Sequence, residues 1–226
     1  MDVKTIDLKK TILEDNDRDA DALRSRLKQD GTYYLNIMSS PGSGKTTTLL
    51  GTIRRLEEAD GDLLIGVMEA DIDSDVDART IIEKAGVPAV QLHTGGMCHL
   101  DADMSRQGLA ELGSECLDLV FLENVGNLVC PAEFDTGAVK SAVILSVPEG
   151  DDKPLKYPLM FQEADIILVN KIDAAPAFDF DRDRFCENLA GCNEDAPVFF
   201  ISAATGEGMD EWCAWLLDEV RAWLRK

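Results

Sequence analysis

A glycine-rich segment between a predicted strand and a predicted helix constrains the fold more than any other feature. The segment reads Ser-Ser-Pro-Gly-Ser-Gly-Lys-Thr from Ser39 to Thr46. A β-forming run, 33–38, precedes it, and residues 47–56, whose apolar side chains have helical spacing, follow it. Strand, glycine loop and helix together form the arrangement that cradles nucleotide phosphates. We therefore predict a phosphate-binding loop, although Ser39 stands where the usual pattern has its first glycine.

The residue types in this loop suit phosphate chemistry. Glycines allow backbone N–H groups to turn towards phosphate oxygens, and the helix N-terminus adds a positive end. Lys45 is expected to reach the β- and γ-phosphates, and the Thr46 hydroxyl to ligate Mg²⁺. The residues expected to contact the phosphates are Gly42, Ser43, Gly44, Lys45, Thr46 and Thr47.

A second motif predicts which base is bound. Asn170, Lys171 and Asp173 follow a buried-strand run, 164–169, and so fall at its carboxyl end. A carboxylate at Asp173 can accept hydrogen bonds from N1–H and the 2-amino group of guanine, which adenine does not offer. The Lys171 stem can lie over the base. A further strand run precedes Ser202 and Ala203, whose backbone N–H groups could meet guanine O6. These features predict GTP and GDP as ligands.

Composition excludes several classes of function. The chain has 226 residues and a net charge of −21, which disfavours nucleic acid and anionic membranes as partners. Its first residues lack an apolar signal core, and no apolar run approaches membrane-spanning length. The six cysteines, without a secretory signal, are expected to be reduced thiols in the cytoplasm.

The alternation of strand and helix patterns predicts an α/β chain with the three-layer P-loop NTPase fold, whose mostly parallel central sheet is flanked by helices. We expect residues 1–30 to form an N-terminal extension with a peripheral helix, and residues 31–226 to form the GTP-binding domain with a metal site. The predicted strands are 33–38, 63–69, 89–92, 117–123, 139–147, 165–170 and 198–201. The predicted helices of the domain are 45–58, 75–85, 101–112, 179–190 and 208–225.

Two loops carry side chains suited to a softer metal. Cys98 and His99 follow one predicted strand, and Cys130 lies in the loop after another. Thiolate and imidazole ligands suit Zn²⁺ or Ni²⁺. Three ligands leave a tetrahedral shell incomplete, so a metal here would imply a two-fold partner that adds its own copies. Free cysteines are also common as small core residues, and spacing alone leaves both interpretations open.

Five segments occur in an order that resembles a known family, the hydrogenase nickel-incorporation GTPases of the HypB type. The resemblance covers roughly residues 30–226, and Cys-His-Leu-Asp and Glu-Asn-Val-Gly-Asn-Leu-Val-Cys-Pro are its most specific parts. The segments are 38–47, 71–79, 98–102, 123–131 and 170–173.

The resemblance implies roles for individual residues. Lys45 and Thr46 would bind phosphates and Mg²⁺, and Asp71 and Glu123 would lie near Mg²⁺ and the attacking water. Hydrolysis of GTP to GDP and phosphate is expected to be slow and to reset a homodimer that GTP promotes. Other hydrogenase-maturation proteins are the expected partners. The nickel or zinc ligands implied at the dimer interface are Cys98, His99 and Cys130.

Other functions stay open from the sequence. Residues 1–30 contain no Cys or His, whereas many members of the family hold nickel tightly with such residues near the N-terminus, so we do not expect nickel storage. A related accessory GTPase for urease would carry a Cys-Pro-His arrangement, which is not present. A P-loop phosphotransferase would not need the guanine motif. A regulatory switch with a structural zinc would hold its metal against chelators.

Overall fold

Seven short runs rich in aliphatic residues form one sheet in the computed structural model, which describes residues 8–71 and 76–225. Both faces of its central strands are buried because helices cover them, so these strands read as continuous apolar runs. The seven predicted strands are confirmed. They are β1 (Tyr33–Ser39), β2 (Ile65–Asp71), β3 (Ala89–His93), β4 (Leu119–Glu123), β5 (Lys140–Ser146), β6 (Ile166–Asn170) and β7 (Val198–Phe200).

The strand order is β3-β2-β4-β1-β5-β6-β7, and every strand pair is parallel. The predicted three-layer α/β fold is therefore confirmed. Parallel strands place all their carboxyl ends at one edge, where α/β folds bind ligands. The loops after β1, β2, β3, β4, β6 and β7 open at this edge, and they carry the residues singled out by the sequence.

The helices agree with their predicted positions to within a few residues. The helix predicted from residue 179 begins at Arg182, because the Asp181 side chain caps it by accepting from the Asp183 and Arg184 N–H groups. Two helices of four and five residues were not predicted, because they are too short to show the helical spacing of apolar residues. The helices are α1 (Leu8–Asp30), α2 (Lys45–Ala59), α3 (Val76–Ala85), α4 (Ala102–Leu112), α5 (Lys153–Lys156), α6 (Pro158–Gln162), α7 (Arg182–Ala190) and α8 (Met209–Leu224).

Apolar side chains of α2 and α8 pack together on one face of the sheet. Trp212 of α8 is buried, and its Nε1 donates to Thr52 Oγ1 at 3.0 Å, so this tryptophan packs in the core as predicted. On the other face, Leu23 and Leu27 of α1 pack beside Tyr34 of β1. Within the part of the chain that the structure describes, no helix combines the length and apolar character needed to cross a bilayer.

Candidate nucleotide and metal site

The phosphate loop joins the end of β1 to the start of α2. Gly42 and Gly44 have φ angles of +76° and +96°, a backbone region that favours glycine. A Cβ at Gly44 would also lie 2.6 Å from Asn170 Nδ2, so this position has no room for a side chain. The N-terminus of α2 begins at Lys45 and supplies the positive end of a helix dipole to the loop.

A cleft of about 600 Å³ opens beside this loop. Its volume suits a small-molecule ligand. Ser43, in contrast, is buried, and its backbone carbonyl accepts a hydrogen bond from Asn170. The predicted site residues that line the cleft are Gly42, Gly44, Lys45, Thr46, Thr47, Asp71, Glu123 and Lys171.

The lysine of the loop contacts the serine that replaces the first glycine of the usual pattern. Lys45 Nζ lies 2.9 Å from Ser39 Oγ, and Ser39 is fully buried. This hydroxyl also donates to the Ser40 carbonyl at 2.7 Å, so its lone pairs are free to accept from the ammonium group. Ser39 therefore holds the Lys45 side chain over the loop.

Oxygen ligands suited to Mg²⁺ gather at the start of α2. The Thr46 hydroxyl donates to Glu123 Oε1 at 3.0 Å, and Glu123 Oε2 is buried with no hydrogen-bond partner. Burial raises the pKa of Glu123 above its ordinary value, and the Lys45 charge opposes that shift. Mg²⁺ is commonly held by one or two carboxylates together with substrate phosphates. The hydroxyl of Thr46 and the carboxylates of Glu123 and Asp71 fit such an ion.

Two further carboxylates, neither of them predicted as a site residue, lie at this edge. Glu69 of β2 is the register neighbour of Glu123 and is 3% exposed. Burial and the charge of Glu123 raise its pKa far above the ordinary range. Asp77, in the first turn of α3, lines the cleft. A lone glutamate within an apolar strand was the available signal for Glu69. Residues 72–75, part of the segment 71–79 that supports the family resemblance, lie outside the described residues.

Asn170 connects the base motif to the phosphate loop. Its Nδ2 donates to the Ser43 carbonyl at 3.0 Å and contacts Thr48 Oγ1 at 3.3 Å. Its Oδ1 accepts from the N–H groups of Lys171 and Ala203, at 2.8 and 3.1 Å. Because Asn170 is 2% exposed, these bonds are shielded from water and fix the relative positions of three loops.

The remaining base-motif residues lie in the loops that Asn170 connects. Lys171 has a φ of +62°, and its Nζ donates to the Gly42 carbonyl at 2.6 Å, so its stem crosses over the phosphate loop. Asp173 Oδ1 accepts from Ser202 Oγ at 2.6 Å. Ser202 is buried and is held in turn by the Thr205 N–H at 3.1 Å. The Asp173 side chain is exposed, and a bound base would cover it.

The structure brings together two of the three predicted soft-metal ligands. The Cys98 and Cys130 thiols are neighbours, and the interaction with Cys98 raises the pKa of Cys130. The His99 ring instead stacks on Phe134, with centroids 3.8 Å apart and planes 11° apart. Among the residues that the structure describes, no group of three or more His, Cys, Asp or Glu side chains is placed to hold a metal ion. One chain thus offers a thiol pair and a nearby imidazole. All six cysteines are free thiols.

The loop after β4, which carries Cys130, closely approaches the phosphate loop. A Cβ at Gly126 would lie 3.2 Å from Pro41, so the segment after Glu123 approaches the phosphate loop closely. Asn127 Oδ1 then accepts from the N–H groups of Val129 and Cys130, at 2.7 and 3.3 Å. A segment of eight residues, 123–130, therefore runs from the Thr46 hydroxyl to the Cys98 thiol.

Comparisons with known proteins agree with this geometry. Residues 34–200 match the family model described as "CobW/HypB/UreG, nucleotide-binding domain". The fold and the site thus define a P-loop nucleotide-binding protein of this GTPase family.

More specific matches narrow the class. The chain is 47% identical over 209 residues to "Hydrogenase maturation factor HypB" of Azotobacter vinelandii. The aligned region covers 92% of this chain and 68% of the relative. The solved structure of HypB from Helicobacter pylori in complex with nickel superposes with a TM-score of 0.84 at 39% identity, covering 92% of this chain and 96% of that one. HypB from Archaeoglobus fulgidus gives 0.83 at 36% identity, covering 92% and 100%. The chain belongs to the HypB family of hydrogenase maturation factors.

Proposed function

We propose that this chain is a GTP-hydrolysing nickel metallochaperone that assists nickel insertion into a nickel–iron hydrogenase during maturation. One observation carries the proposal: segment 123–130 begins at Glu123, which accepts from the Thr46 hydroxyl, and ends at Cys130, whose thiol neighbours that of Cys98. Its relatives are named hydrogenase maturation factors, and the Helicobacter pylori relative is described in complex with nickel.

The hydrolytic part of the proposal assigns roles at the phosphate cleft. Lys45 neutralises charge on the β- and γ-phosphates, while Thr46, Asp71 and Glu123 hold Mg²⁺ and orient water. Bound Mg²⁺ would supply charge neutralisation between the phosphates. Glu123 is suited to the role nearest the water, because one of its oxygens is buried without a partner. The backbone N–H groups of residues 42–44 and of Thr47 would make the other contacts to the phosphates.

Guanine recognition is assigned to Asp173, with Lys171 covering the base. Ser202 holds the Asp173 carboxylate, and Asn170 holds the loop that includes Ala203. A fixed carboxylate accepts two hydrogen bonds from guanine, whereas adenine would leave it without donors. The site is thereby selective for GTP and GDP.

Nickel is the cargo in this proposal, and zinc is a competing ion with the same ligands. Cys98 and Cys130 are already in contact, and His99 joins them once its ring leaves Phe134. A GTP-promoted homodimer would bring two such sets to one interface and complete the metal shell. Other hydrogenase-maturation proteins would deliver or accept the ion.

We further propose that residues 31–226 form the GTP-binding domain with its metal site, preceded by the extension 1–30. A cytoplasmic location suits the chemistry, because thiolate ligands must stay reduced and all six cysteines are free.

A single titration tests the central claim. Nickel is added to the full chain with GDP and then with a non-hydrolysable GTP analogue, while metal stoichiometry and oligomeric state are read together. We expect Cys98→Ala and Cys130→Ala to lose most nickel binding and keep GDP binding. Cys116→Ala is the matched control, because Cys116 is exposed in a turn away from both metal loops.

The outcomes separate the competing functions. Nickel affinity that is identical in both nucleotide states would reject coupling, and native nickel stoichiometry in Cys130→Ala would reject the ligand assignment. Phosphoryl transfer from GTP to a small acceptor would favour the phosphotransferase. A zinc ion that chelators cannot remove would favour the regulatory switch.

A further inference from the structure

We infer that Asn16 of α1 is a positioning residue for the metal site, because its amide joins the two segments that carry Cys98, His99 and Cys130. This inference rests on the proposed metal-binding function. The sequence predicted α1 only as a peripheral helix, and the structure gives one of its polar residues a buried contact with both segments.

Both halves of the Asn16 amide are used, each by a different segment. Oδ1 accepts from the Ala102 N–H at 2.9 Å, and Nδ2 donates to the Asp135 carbonyl at 2.9 Å. Ala102 is the first residue of α4 and follows His99 by three residues. Asp135 follows Cys130 by five residues. Asn16 therefore bridges the two segments close to their metal-binding ends.

The stacked rings of Phe134 and His99 connect this restraint to the imidazole of His99. Phe134 precedes Asp135, and its ring is stacked on His99. The Asp135 backbone that Asn16 holds is thus covalently joined to the residue that sets the His99 orientation. Arg24, two turns further along α1, adds a second tie by donating to Asp135 Oδ1 at 2.8 Å. Helix α1 fixes the Asp135 position through its backbone carbonyl and its side chain.

The residue type fits this role and little else. Asparagine is a poor helix former, and a polar amide costs free energy when it is buried without partners. Asn16 lies inside α1 and is only 8% exposed. An amide can accept from an N–H and donate to a carbonyl at once, whereas an aspartate cannot donate and an apolar residue can do neither. Both contacts together offset the cost of placing asparagine here.

The ligands of a metal are sensitive to the groups that orient them, and loss of such a group typically costs about 10- to 100-fold in metal affinity. The two thiols approach from loops on different strands, so their separation depends on what holds those loops. Asn16 supplies one such restraint without touching either thiol or the nucleotide cleft. Its removal should therefore weaken metal binding selectively.

Two variants of the full chain test this, each removing part of the bridge. Asn16→Ala removes both hydrogen bonds. Ala102→Pro replaces the Ala102 N–H by a ring carbon, which breaks the bond to Asn16 Oδ1 and adds bulk at this buried residue. Ala102 is at the first helical position, where the proline backbone is well tolerated. The preceding residue, Asp101, has φ −102° and ψ −179°, which is compatible with a following proline. Asn188→Ala is the matched control, since its Nδ2 bonds the Asp151 carbonyl at 3.0 Å, away from both metal segments.

The measurements are nickel affinity by chelator competition, the thiolate-to-nickel absorption band, GDP affinity and the thermal midpoint. We expect Asn16→Ala to weaken nickel binding about 10- to 100-fold and to alter the absorption band, with native GDP affinity. Ala102→Pro should shift nickel affinity in the same direction. Asn188→Ala should keep native nickel affinity even where its thermal midpoint falls.

The results distinguish failure of the Asn16 inference from failure of the proposed metal-binding function. If the native chain binds nickel through Cys98 and Cys130 but Asn16→Ala and Ala102→Pro bind it equally well, Asn16 has no positioning role. Equal nickel loss in Asn188→Ala would also overturn the inference, because the effect would then follow general stability. If the native chain shows no cysteine-dependent nickel binding, the proposed metal function fails, and the inference fails with it.

Discussion

Replacing Asn170 by alanine should uncouple the phosphate loop from the loops that contact the base. The Asn170 amide makes three hydrogen bonds of 2.8 to 3.1 Å, to Ser43, Lys171 and Ala203. All three are shielded from water because Asn170 is 2% exposed. Alanine would leave the Ser43 carbonyl and two N–H groups to find other partners.

The magnitude follows from the number of bonds. A net contribution of about 1 kcal/mol for each hydrogen bond gives about 3 kcal/mol for the set. Because the bonds share one side chain, this sum is an upper value. Loops released from these bonds must be ordered again when a nucleotide binds. If that cost falls entirely on binding, GDP affinity drops by about 100-fold, since 1.4 kcal/mol corresponds to tenfold.

The assay is titration of a fluorescent GDP, with the thermal midpoint recorded for each variant. Asn193→Ala is a close control, because Asn193 Nδ2 donates to the Phe161 and Ala164 carbonyls, each at 2.8 Å, and lies outside the nucleotide cleft. It should lower the thermal midpoint and keep GDP affinity. The reasoning is refuted if Asn170→Ala binds GDP as tightly as the native chain, or if Asn193→Ala loses as much GDP affinity.

Three further substitutions test the assigned roles at the cleft. Asp173→Asn should weaken GTP and improve xanthosine triphosphate in a competition assay, because the 2-oxo group can accept from the amide; equal turnover of ATP and GTP by the native chain would contradict this. Lys45→Ala should abolish phosphate release, since Lys45 supplies the positive side chain of the loop, whereas Arg106→Ala, whose side chain is exposed on α4, should not. Glu123→Gln should slow hydrolysis by about 100-fold while GTP affinity changes little, and native turnover would show that Glu123 is misassigned.

The sheet and the phosphate loop were predictable because each depends on residues that are contiguous in the chain. A strand such as β4 reads as an apolar run because helices cover both faces of the sheet. The loop ending at Lys45 has its two positive-φ glycines within its own motif. In both cases the residues that determine the local structure are next to each other in the chain, so the sequence pattern predicts it.

The role of Glu69, in contrast, could not be predicted from residues that are contiguous in the chain. Within its own strand it is one polar residue in an apolar run, and nothing local says that its register neighbour is Glu123. The pairing depends on the order of β2 and β4 in the sheet, which strand patterns do not specify. The raised pKa of Glu69 and its position beside the predicted Mg²⁺ ligand Glu123 both depend on that register.

Asn16 extends the same physical point to the metal site. Its two hydrogen bonds span 86 and 119 positions of the chain, and each partner is a backbone group whose residue type carries no signal. The three predicted metal ligands, in contrast, are candidates from the sequence alone, because thiol and imidazole groups are the side chains that bind Zn²⁺ and Ni²⁺. Sequence reasoning thus finds the atoms that meet a ligand more readily than the atoms that hold them in place. The atoms that hold the ligands in place affect how tightly a metal is bound, and they are identified from the hydrogen bonds of the folded chain.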